Sequence, residues 1–241
     1  LRQCAGRACA PVWNNASMER YEDTWLIVPL YNEATVVGQV IQQARRTFPN
    51  IVCVDDGSKD DSARQARLAG AHVVTHPINL GQGAALQTGF EYFLTRTDGT
   101  YAVTFDADGQ HRVEDAVAMR RTSIDTDTPI IFGSRFLEGH VDISSFKRVV
   151  LKTAALVTRV RTGMKLTDAH NGLRLLRRDA VEHVHLTQNR MAHASQIVAQ
   201  LARSKMKWLE FPVTIIYTDY SRSKGQSLLN SINILVELLM G

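Results

Sequence analysis

The chain has 241 residues, of which 44% are hydrophobic, and a formal net charge of +4. This fits one large α/β domain with a substantial core, with or without appendages. The mild charge gives no argument for a nucleic-acid partner and is compatible with anionic ligands or an anionic membrane face. Three cysteines, one inside an apolar stretch, give no disulfide framework and favour a reducing compartment. No apolar run in the sequence has the length of a membrane-spanning helix.

Apolar stretches alternate with amphipathic ones along the chain. The predicted strands cover residues 25–29, 51–54, 72–75, 101–105, 130–135, a short stretch ending at 176, and 208–217. The predicted helices cover 36–44, 62–69, a segment from 79–84 to about 95, 113–123, 146–160, 179–184 and 191–204. This alternation predicts an α/β fold with a mostly parallel, doubly wound sheet and right-handed crossovers. Such sheets bind ligands at the carboxyl ends of their strands.

Both ends of the chain are predicted to lie outside this domain. Residues 1–23 lack periodicity and a signal-peptide core, so we expect a poorly ordered extension there. The predicted domain covers residues 24–227 and ends in a polar loop, 218–227, that we expect to be mobile. Residues 228–241 carry apolar side chains at helical spacing. They predict a C-terminal amphipathic helix that faces a membrane or a partner, with core packing as the alternative.

The most informative stretch is the predicted strand 101–105 and the two carboxylates that follow it. Asp106 and Asp108 are separated by one residue, and such positions of a chain that leaves a strand edge point the same way, so the two carboxylates can converge on one point. Two close carboxylates repel each other unless a cation lies between them, and hard oxygen ligands favour Mg²⁺ or Mn²⁺. Gln110 would add a neutral oxygen ligand or a hydrogen bond to a ligand. The alternative is an ordinary polar turn built on Asp108 and Gly109.

Polar motifs also follow other predicted strands. They are Pro29-Leu30-Tyr31-Asn32-Glu33, Val54-Asp55-Asp56-Gly57-Ser58, Asn79-Leu80-Gly81-Gln82-Gly83 and Gly133-Ser134-Arg135-Phe136. With Asp106-Ala107-Asp108-Gly109-Gln110-His111, in this order, they closely resemble family 2 glycosyltransferases of the GT-A fold. The resemblance covers about residues 25–220. It is strongest to polyprenyl-phosphate sugar synthases typified by dolichol-phosphate mannose synthase, with later segments similar to bacterial, especially actinobacterial, members.

The resemblance implies a role for each motif. The residues implied to bind the nucleotide are Pro29, Tyr31, Glu33, Asp55, Gly81 and Asp106. The implied ligands of Mg²⁺ or Mn²⁺ are Asp106, Asp108 and Gln110. Gln82 stands where the family often has a basic residue. The glycine motif lacks the third glycine of a dinucleotide fingerprint and follows the third strand, which excludes a Rossmann dehydrogenase.

The resemblance implies inverting transfer of a sugar from a nucleotide-sugar donor to a polyprenyl-phosphate acceptor. UDP is favoured, and the sugar is a hexose or N-acetylhexosamine, with a lean to N-acetylgalactosamine. A phosphomonoester has a second pKa of about 6, so this acceptor is largely dianionic at pH 7 and needs cations rather than a base. The candidate cations are Arg135 first, then Arg174, Arg222 and Lys224.

Three residues are predicted to be catalytic, namely Asp108, Arg135 and Asp168. Asp168 would contact a sugar hydroxyl or act as a base, and the alternative is a turn cap. His170 and His193 could each contact the donor or the acceptor. The alternative for each is polar packing against neighbouring protein groups. We expect His111 to order the loop that holds the metal and Asp56 to be structural.

Three other functions stay open at this point. A glycosyltransferase acting on a glycan hydroxyl would use Asp168 as its base. A nucleotide-sugar-binding module of a membrane complex and a nucleotidyltransferase are the others. The leading hypothesis predicts a cytoplasmic enzyme, peripheral to the inner face of the plasma membrane or recruited by a small membrane protein.

Overall fold

The computed structural model describes residues 19–137, 162–169, 171–189 and 192–216. The strands in this part are β1 Thr24–Leu30, β2 Asn50–Asp55, β3 His72–Thr75, β4 Tyr101–Thr104, β5 Ile130–Ser134, β6 Arg174–Arg177 and β7 Trp208–Pro212. The helices are α1 Val37–Arg45, α2 Ser62–Leu68, α3 Gln82–Arg96, α4 Val113–Thr126, α5 Arg178–Val181 and α6 His193–Ser204. The predicted helix 146–160, the loop 218–227 and the terminal segment 228–241 lie outside the described residues.

The strands form one sheet in the order β3-β2-β1-β4-β6-β5-β7. Every neighbouring pair is parallel except those of β6, which runs antiparallel to β4 and to β5. The prediction of a mostly parallel sheet is therefore confirmed, and the reversed β6 is new. Because β6 is reversed, its first residues lie at the same edge of the sheet as the last residues of the other strands. We call this the carboxyl edge.

Helices cover both faces of the sheet. Alternate residues of β1 point to opposite faces, so Leu26 and Val28 join one buried cluster and Ile27 joins the other. The first cluster includes side chains of α1, α2 and α4, and the second includes side chains of α3, α5 and α6. Burial on both faces explains why β1 and β2 are nearly continuous apolar runs.

The α1 helix shows how the sequence pattern becomes packing. Val37, Ile41 and Ala44 are fully buried at the i, i+4, i+7 spacing of one helix face. Burial of each larger side chain stabilises the fold by about 1.5–3 kcal/mol. The predicted apolar face is confirmed.

Two residues that precede β1 pack against the rest of the domain. Tyr21 is 7% exposed and packs on Phe48 with ring centroids 5.6 Å apart. Arg120 lies 4.5 Å over the Tyr21 ring and forms a 2.5 Å ion pair with Asp23. Tyr21 and Asp23, which belong to the predicted extension, therefore contact the domain, and the boundary at residue 23 stays a prediction. A single anchoring aromatic carries no periodicity, so the sequence pattern did not reveal it.

Candidate active site

The loop after β4, residues 105–111, carries the two carboxylates predicted to hold a metal, and we call it the acidic loop. Strand β4 ends at Thr104, and Asp106 and Asp108 lie in the loop that follows it. The charges of the two carboxylates interact. Burial and the neighbouring charge of Asp106 raise the pKa of Asp108 to about 6.

Asp106 is stabilised as a carboxylate by its surroundings. Its Oδ2 lies 2.9 Å from Nε2 of the buried His111. Burial opposes ionisation of Asp106, but the charge and hydrogen bond of His111, with the charges of Arg174 and His193, hold its pKa below the usual value. The contact agrees with the expectation that His111 orders this loop.

A close approach of Gly172 fixes the depth at which Asp106 lies. A Cβ atom on Gly172 would be 2.5 Å from Asp106 Oδ2 and 3.2 Å from His111 Nε2. The Gly172 carbonyl accepts a 2.5 Å hydrogen bond from Oγ1 of Thr104, the last residue of β4. A residue with a Cβ atom at position 172 would therefore require the Asp106 carboxylate to move.

The acidic loop fits a divalent cation. Burial and the charges of Asp106 and Glu33 raise the cost of ionising Asp108. A bound cation would remove that cost. The described residues contain no group of three or more His, Cys, Asp or Glu side chains that could hold a metal. Two carboxylates, with other positions left to substrate phosphates, are a usual set for Mg²⁺. Gln110 lies in the same loop, and its backbone N–H donates to Asp108 Oδ1 at 3.0 Å.

Four of the predicted nucleotide-binding residues lie near the carboxyl ends of β1 and β2, with Pro29 in β1, Tyr31 and Glu33 in the loop after it, and Asp55 at the end of β2. The backbone N–H of Asn32 donates to Ser58 Oγ at 3.0 Å, and that of Glu33 donates to Ser62 Oγ at 2.7 Å. These bonds fix the β1 loop, on which Tyr31 is 41% exposed. Nearby, Pro29 pairs with Val54, and Asp55 is buried with its Oδ1 accepting the Ser58 N–H at 3.3 Å.

Arg135 and Asp168 form an ion pair at the end of β5. Arg135 donates from Nε to Asp168 Oδ2 at 2.6 Å and from Nη2 to Oδ1 at 2.8 Å, and its backbone N–H donates to Oδ2 at 3.2 Å. The Asp168 side chain is 1% exposed and that of Arg135 is 15% exposed. Burial opposes ionisation of Asp168, but Arg135 outweighs it and lowers the pKa of this carboxyl.

Comparisons with known proteins place this arrangement in a family. The model of glycosyl transferase family 2 matches residues 25–185. The chain belongs to glycosyltransferase family 2. It is 27% identical to the UDP-N-acetylglucosamine–dolichyl-phosphate N-acetylglucosaminyltransferase of Methanococcus voltae, covering 90% of this chain and 94% of that protein. It is 31% identical to the polyprenol monophosphomannose synthase of Mycolicibacterium smegmatis, covering 71% and 68%.

A solved structure confirms the fold of this glycosyltransferase. The glucosyl-3-phosphoglycerate synthase of Mycobacterium tuberculosis, crystallised with Mn²⁺, UDP and phosphoglyceric acid, superposes with a TM-score of 0.65. It is 15% identical and covers 90% of this chain and 77% of that one. The prediction of a GT-A fold is confirmed. In the described part of the glycosyltransferase, no helix combines the length and apolar character needed to cross a membrane.

The backbone of the glycine motif in this glycosyltransferase forms hydrogen bonds within the chain. Asp56 accepts the N–H groups of Leu80 at 2.9 Å and Gly81 at 2.7 Å, and its Oδ1 lies 2.8 Å from Nδ1 of His76. The structure thus gives Asp56 the structural role expected from the sequence. The Gly81 N–H is already paired with a carboxylate. The prediction that Gly81 binds the nucleotide stays a prediction, and such a contact would use another atom of this residue.

The two glycines instead allow close packing at the start of α3. A Cβ atom on Gly81, which has φ +102°, would lie 2.1 Å from the carbonyl oxygen of Asn189. That oxygen accepts the Gly83 N–H at 2.9 Å. Gln82, between the glycines, lies with Nε2 3.5 Å from Asp106 Oδ1. It is therefore the side chain of this motif that faces the acidic loop.

Arg174, a predicted contact of the acceptor phosphate, is buried in the structure. It begins β6, is 2% exposed, and donates from Nη2 to the Ala169 carbonyl at 3.3 Å, while its Nε is buried without a hydrogen-bond partner among the described residues. Burial lowers its pKa to about 10, which the charges of Asp106 and Asp168 oppose. An acceptor phosphate would have to enter a buried position to contact this guanidinium, so the predicted contact stays a prediction. Arg174 places a buried positive charge near both carboxylates.

Of the remaining predicted residues, one lies in the part of the chain that the structure describes and three lie outside it. His193 is the first residue of α6, is 5% exposed, and acts electrostatically on Asp106. His170, Arg222 and Lys224 lie outside the described residues, so their roles stay predictions.

Two residues in this site had no role from the sequence. Gly172 has no unusual backbone angle, and only its contact with Asp106 shows its importance. Glu210 lies in β7 and accepts hydrogen bonds from the turn that carries Asp168. A lone carboxylate in the apolar stretch 208–213 was a signal that sequence reading could have used.

Proposed function

We propose that this glycosyltransferase transfers a sugar, with inversion, from a nucleotide sugar to a polyprenyl phosphate in a reaction that depends on Mg²⁺ or Mn²⁺. The observation that carries the proposal is the ion pair between Arg135 and Asp168. This ion pair holds the guanidinium of Arg135 at the carboxyl edge and keeps Asp168 from acting as a base. A phosphate acceptor needs a cation to bind it but does not need a base.

The state of Asp168 argues against a hydroxyl acceptor. A general base needs an accessible carboxylate whose pKa lies near the working pH. Asp168 is 1% exposed, its two oxygens accept hydrogen bonds from Arg135, and its pKa is lowered. Transfer to a glycan hydroxyl would lack a base at this position. A dianionic phosphate is already a nucleophile.

The acidic loop supports the donor half of the proposal. Asp106 and Asp108 would hold the divalent cation, which when bound neutralises charge on the departing diphosphate. Glu33 and Tyr31 lie on the loop after β1, and Asp55 lies at the end of β2. These groups would bind the nucleotide, and Asp55 is the candidate acceptor for the imide N–H of uracil.

The proposed step is a single displacement. An oxygen of the acceptor phosphate forms a bond to the anomeric carbon of the sugar, and the bond from that carbon to the nucleoside diphosphate breaks. The electron pair leaves with the diphosphate, so an α-linked donor gives a β-linked product. Arg135, held by Asp168, would bind and orient the acceptor phosphate, with Arg222 and Lys224 as further candidates.

The names of related proteins support the substrate classes. One relative is named for transfer from UDP-N-acetylglucosamine to dolichyl phosphate, and another for synthesis of polyprenol monophosphomannose. A structural neighbour was crystallised with Mn²⁺ and UDP. We propose UDP as the donor nucleotide and a hexose or N-acetylhexosamine as the sugar, with N-acetylgalactosamine tested first. Because a lipid acceptor lies in a membrane, we propose that the reaction takes place at the cytoplasmic face of the plasma membrane, with or without a small membrane-protein partner.

The test is turnover with Mn²⁺ and a panel of UDP- and GDP-sugars on two acceptors of equal chain length, a polyprenyl phosphate and the matching polyprenol. We expect lipid-linked product only with the phosphate, and none from Asp108→Asn. Product with the polyprenol alone would establish a hydroxyl acceptor and contradict the proposal. Nucleotide binding with no transfer to either acceptor would favour a binding module of a membrane complex.

A further inference from the structure

Glu210 makes four hydrogen bonds to a turn more than 40 residues away in sequence. Its Oε1 accepts the backbone N–H groups of Thr167 at 2.7 Å and Asp168 at 3.1 Å. Both of its carboxylate oxygens lie 3.0 Å from Thr167 Oγ1. One half-buried side chain of β7 therefore fixes the turn that carries Asp168.

The same turn is also tied to the residue before Arg135. Oγ of Ser134, the last residue of β5, lies 2.6 Å from Thr167 Oγ1 and accepts the Phe136 N–H at 3.2 Å. Thr167 thus contacts Glu210 on one side and Ser134 on the other. These contacts leave the Asp168 carboxylate in place to hold Arg135 through both its backbone and its guanidinium.

The sheet makes this arrangement rigid. Strands β5 and β7 are parallel neighbours, with Glu210 in register with Phe132 and Pro212 in register with Ser134. Glu210 and Arg135 therefore rise from one hydrogen-bonded strand pair. A shift of the Glu210 carboxylate would move the turn relative to the strand that carries Arg135.

The carboxylate of Glu210 is kept at a cost. Burial raises the pKa of Glu210, with a further contribution from the charge of Asp168, while the N–H groups of Thr167 and Asp168 oppose the shift. An apolar residue would cover β7 without that cost. The hydrogen-bonded turn is the feature that a carboxylate provides and an apolar side chain does not.

We propose that Glu210 is a positioning residue for the acceptor, acting through Thr167 and Asp168 on the guanidinium of Arg135. The role of Glu210 in acceptor binding rests on the proposed function. Its role in positioning Arg135 does not depend on that function. The alternative is that Glu210 only stabilises the fold.

Three variants separate these roles. Glu210→Ala removes every bond to the turn, whereas Glu210→Gln keeps one carbonyl oxygen able to accept the two N–H groups. Asp179→Ala is the matched control, because Asp179 also pairs with an arginine, Arg177, and accepts a backbone N–H. It lies at the opposite edge of the sheet, since β6 is antiparallel to β4.

The first measurement is kinetic and uses the intact chain with Mn²⁺ and a short-chain polyprenyl phosphate. We expect Glu210→Ala to raise the KM for the lipid phosphate about tenfold, with an unchanged KM for the donor, and Glu210→Gln to restore most of the loss. In an Arg135→Met background, Glu210→Ala should change the acceptor KM less than about twofold. Equal effects with and without Arg135, or a fall in thermal stability alone, would overturn the proposal.

The second measurement does not depend on the reaction. The Nε–H proton of Arg135, assigned by its loss in Arg135→Lys, should exchange with solvent about tenfold faster in Glu210→Ala and at the wild-type rate in Asp179→Ala. Unchanged exchange in Glu210→Ala would overturn the positioning role whatever the acceptor is. Wild-type protein that gives no lipid-linked product would overturn the proposed function and leave this result standing.

Discussion

The two halves of the site treat charge in opposite ways. In the acidic loop, Asp106 and Asp108 are held close enough that the pKa of Asp108 rises to about 6. At the end of β5, Asp168 is held against Arg135 and its pKa falls. The ionised form of Asp108 is unfavourable in the absence of a cation, whereas the charge of Asp168 is balanced within the protein. Under the proposed function, the donor half would gain its order from a bound cation, whereas the acceptor half would be ordered in advance.

The largest expected effect comes from removing the unfavourable charge. Asp108→Asn should lower turnover by about 10³-fold, because a metal ion contributes several kcal/mol of charge stabilisation in the transition state. The same change should stabilise the metal-free protein by about 1–3 kcal/mol at pH 7.5. Unfolding by urea in the presence of EDTA would measure the second effect, with the exposed Asp125→Asn as control.

The sign of this stability effect follows from the raised pKa. A carboxyl group whose pKa is higher in the folded state than in the unfolded state destabilises the fold above that pKa. The cost shrinks as the pH falls, because the folded protein takes up the proton first. The gain from Asp108→Asn should therefore be smaller at pH 5 than at pH 7.5, and a gain that grows at low pH would contradict the account.

The second-largest effect is expected at the ion pair between Arg135 and Asp168. Arg135→Met should weaken acceptor binding by about 10²-fold, because it removes a cation and leaves Asp168 buried and unpaired. Donor binding should not change. Arg135→Lys should rescue little, since an ammonium cannot reproduce two parallel bonds to one carboxylate. Acceptor KM and calorimetric titration with UDP would measure the two outcomes. Full rescue by lysine would show that charge alone matters there.

A smaller effect is expected where the backbone supports the acidic loop. Gly172→Ala would place a methyl group 2.5 Å from Asp106 Oδ2, so the carboxylate must move. We expect Mn²⁺ affinity to fall about 10–100-fold, the usual range for groups that support metal ligands. Gly38→Ala is the control, because its Cβ would have no neighbour closer than 3.9 Å. Electron paramagnetic resonance of free Mn²⁺ would report the affinity. Equal Mn²⁺ affinities of Gly172→Ala and the wild-type protein would show that Gly172 does not support the metal ligands.

The smallest effect is expected at Gln82, which is exposed and lies 3.5 Å from Asp106 Oδ1. Gln82→Lys places a cation at this point of the acidic loop, where many family members have a basic residue. Solvent screens exposed pairs, so Mn²⁺ affinity should change less than about threefold and the change should shrink in 0.5 M salt. A large change that salt does not affect would show that Gln82 is a direct ligand or substrate contact.

The sequence allowed much of the fold to be predicted, because its signals are local. The apolar stretches and helix faces placed the strands and helices of the described residues within a few positions. The motifs after β1, β2, β4 and β5 were assigned to one edge of the sheet because parallel strands all end there. The direction of β6 was not predicted, since periodicity carries no information about direction.

The roles of single charged residues were harder to predict. Arg135 and Asp168 were assigned separate tasks, and the structure joins them in one ion pair. Arg174 was expected at the acceptor phosphate and is instead 2% exposed. Arginine has the same sequence signature in both settings, and burial and partners decide between them.

The sequence by itself determined the family, the alternation of strands and helices, and the presence of two carboxylates at the end of a central strand. These features depend on residue type and on spacing along the chain, which are visible without a structure. Only the tertiary structure decided that Asp168 pairs with Arg135, that Gly172 lies against Asp106, and that Glu210 supports the turn at Asp168. Each of these contacts joins residues at least 33 positions apart, and such contacts form only when the sheet and its reversed strand bring distant segments together.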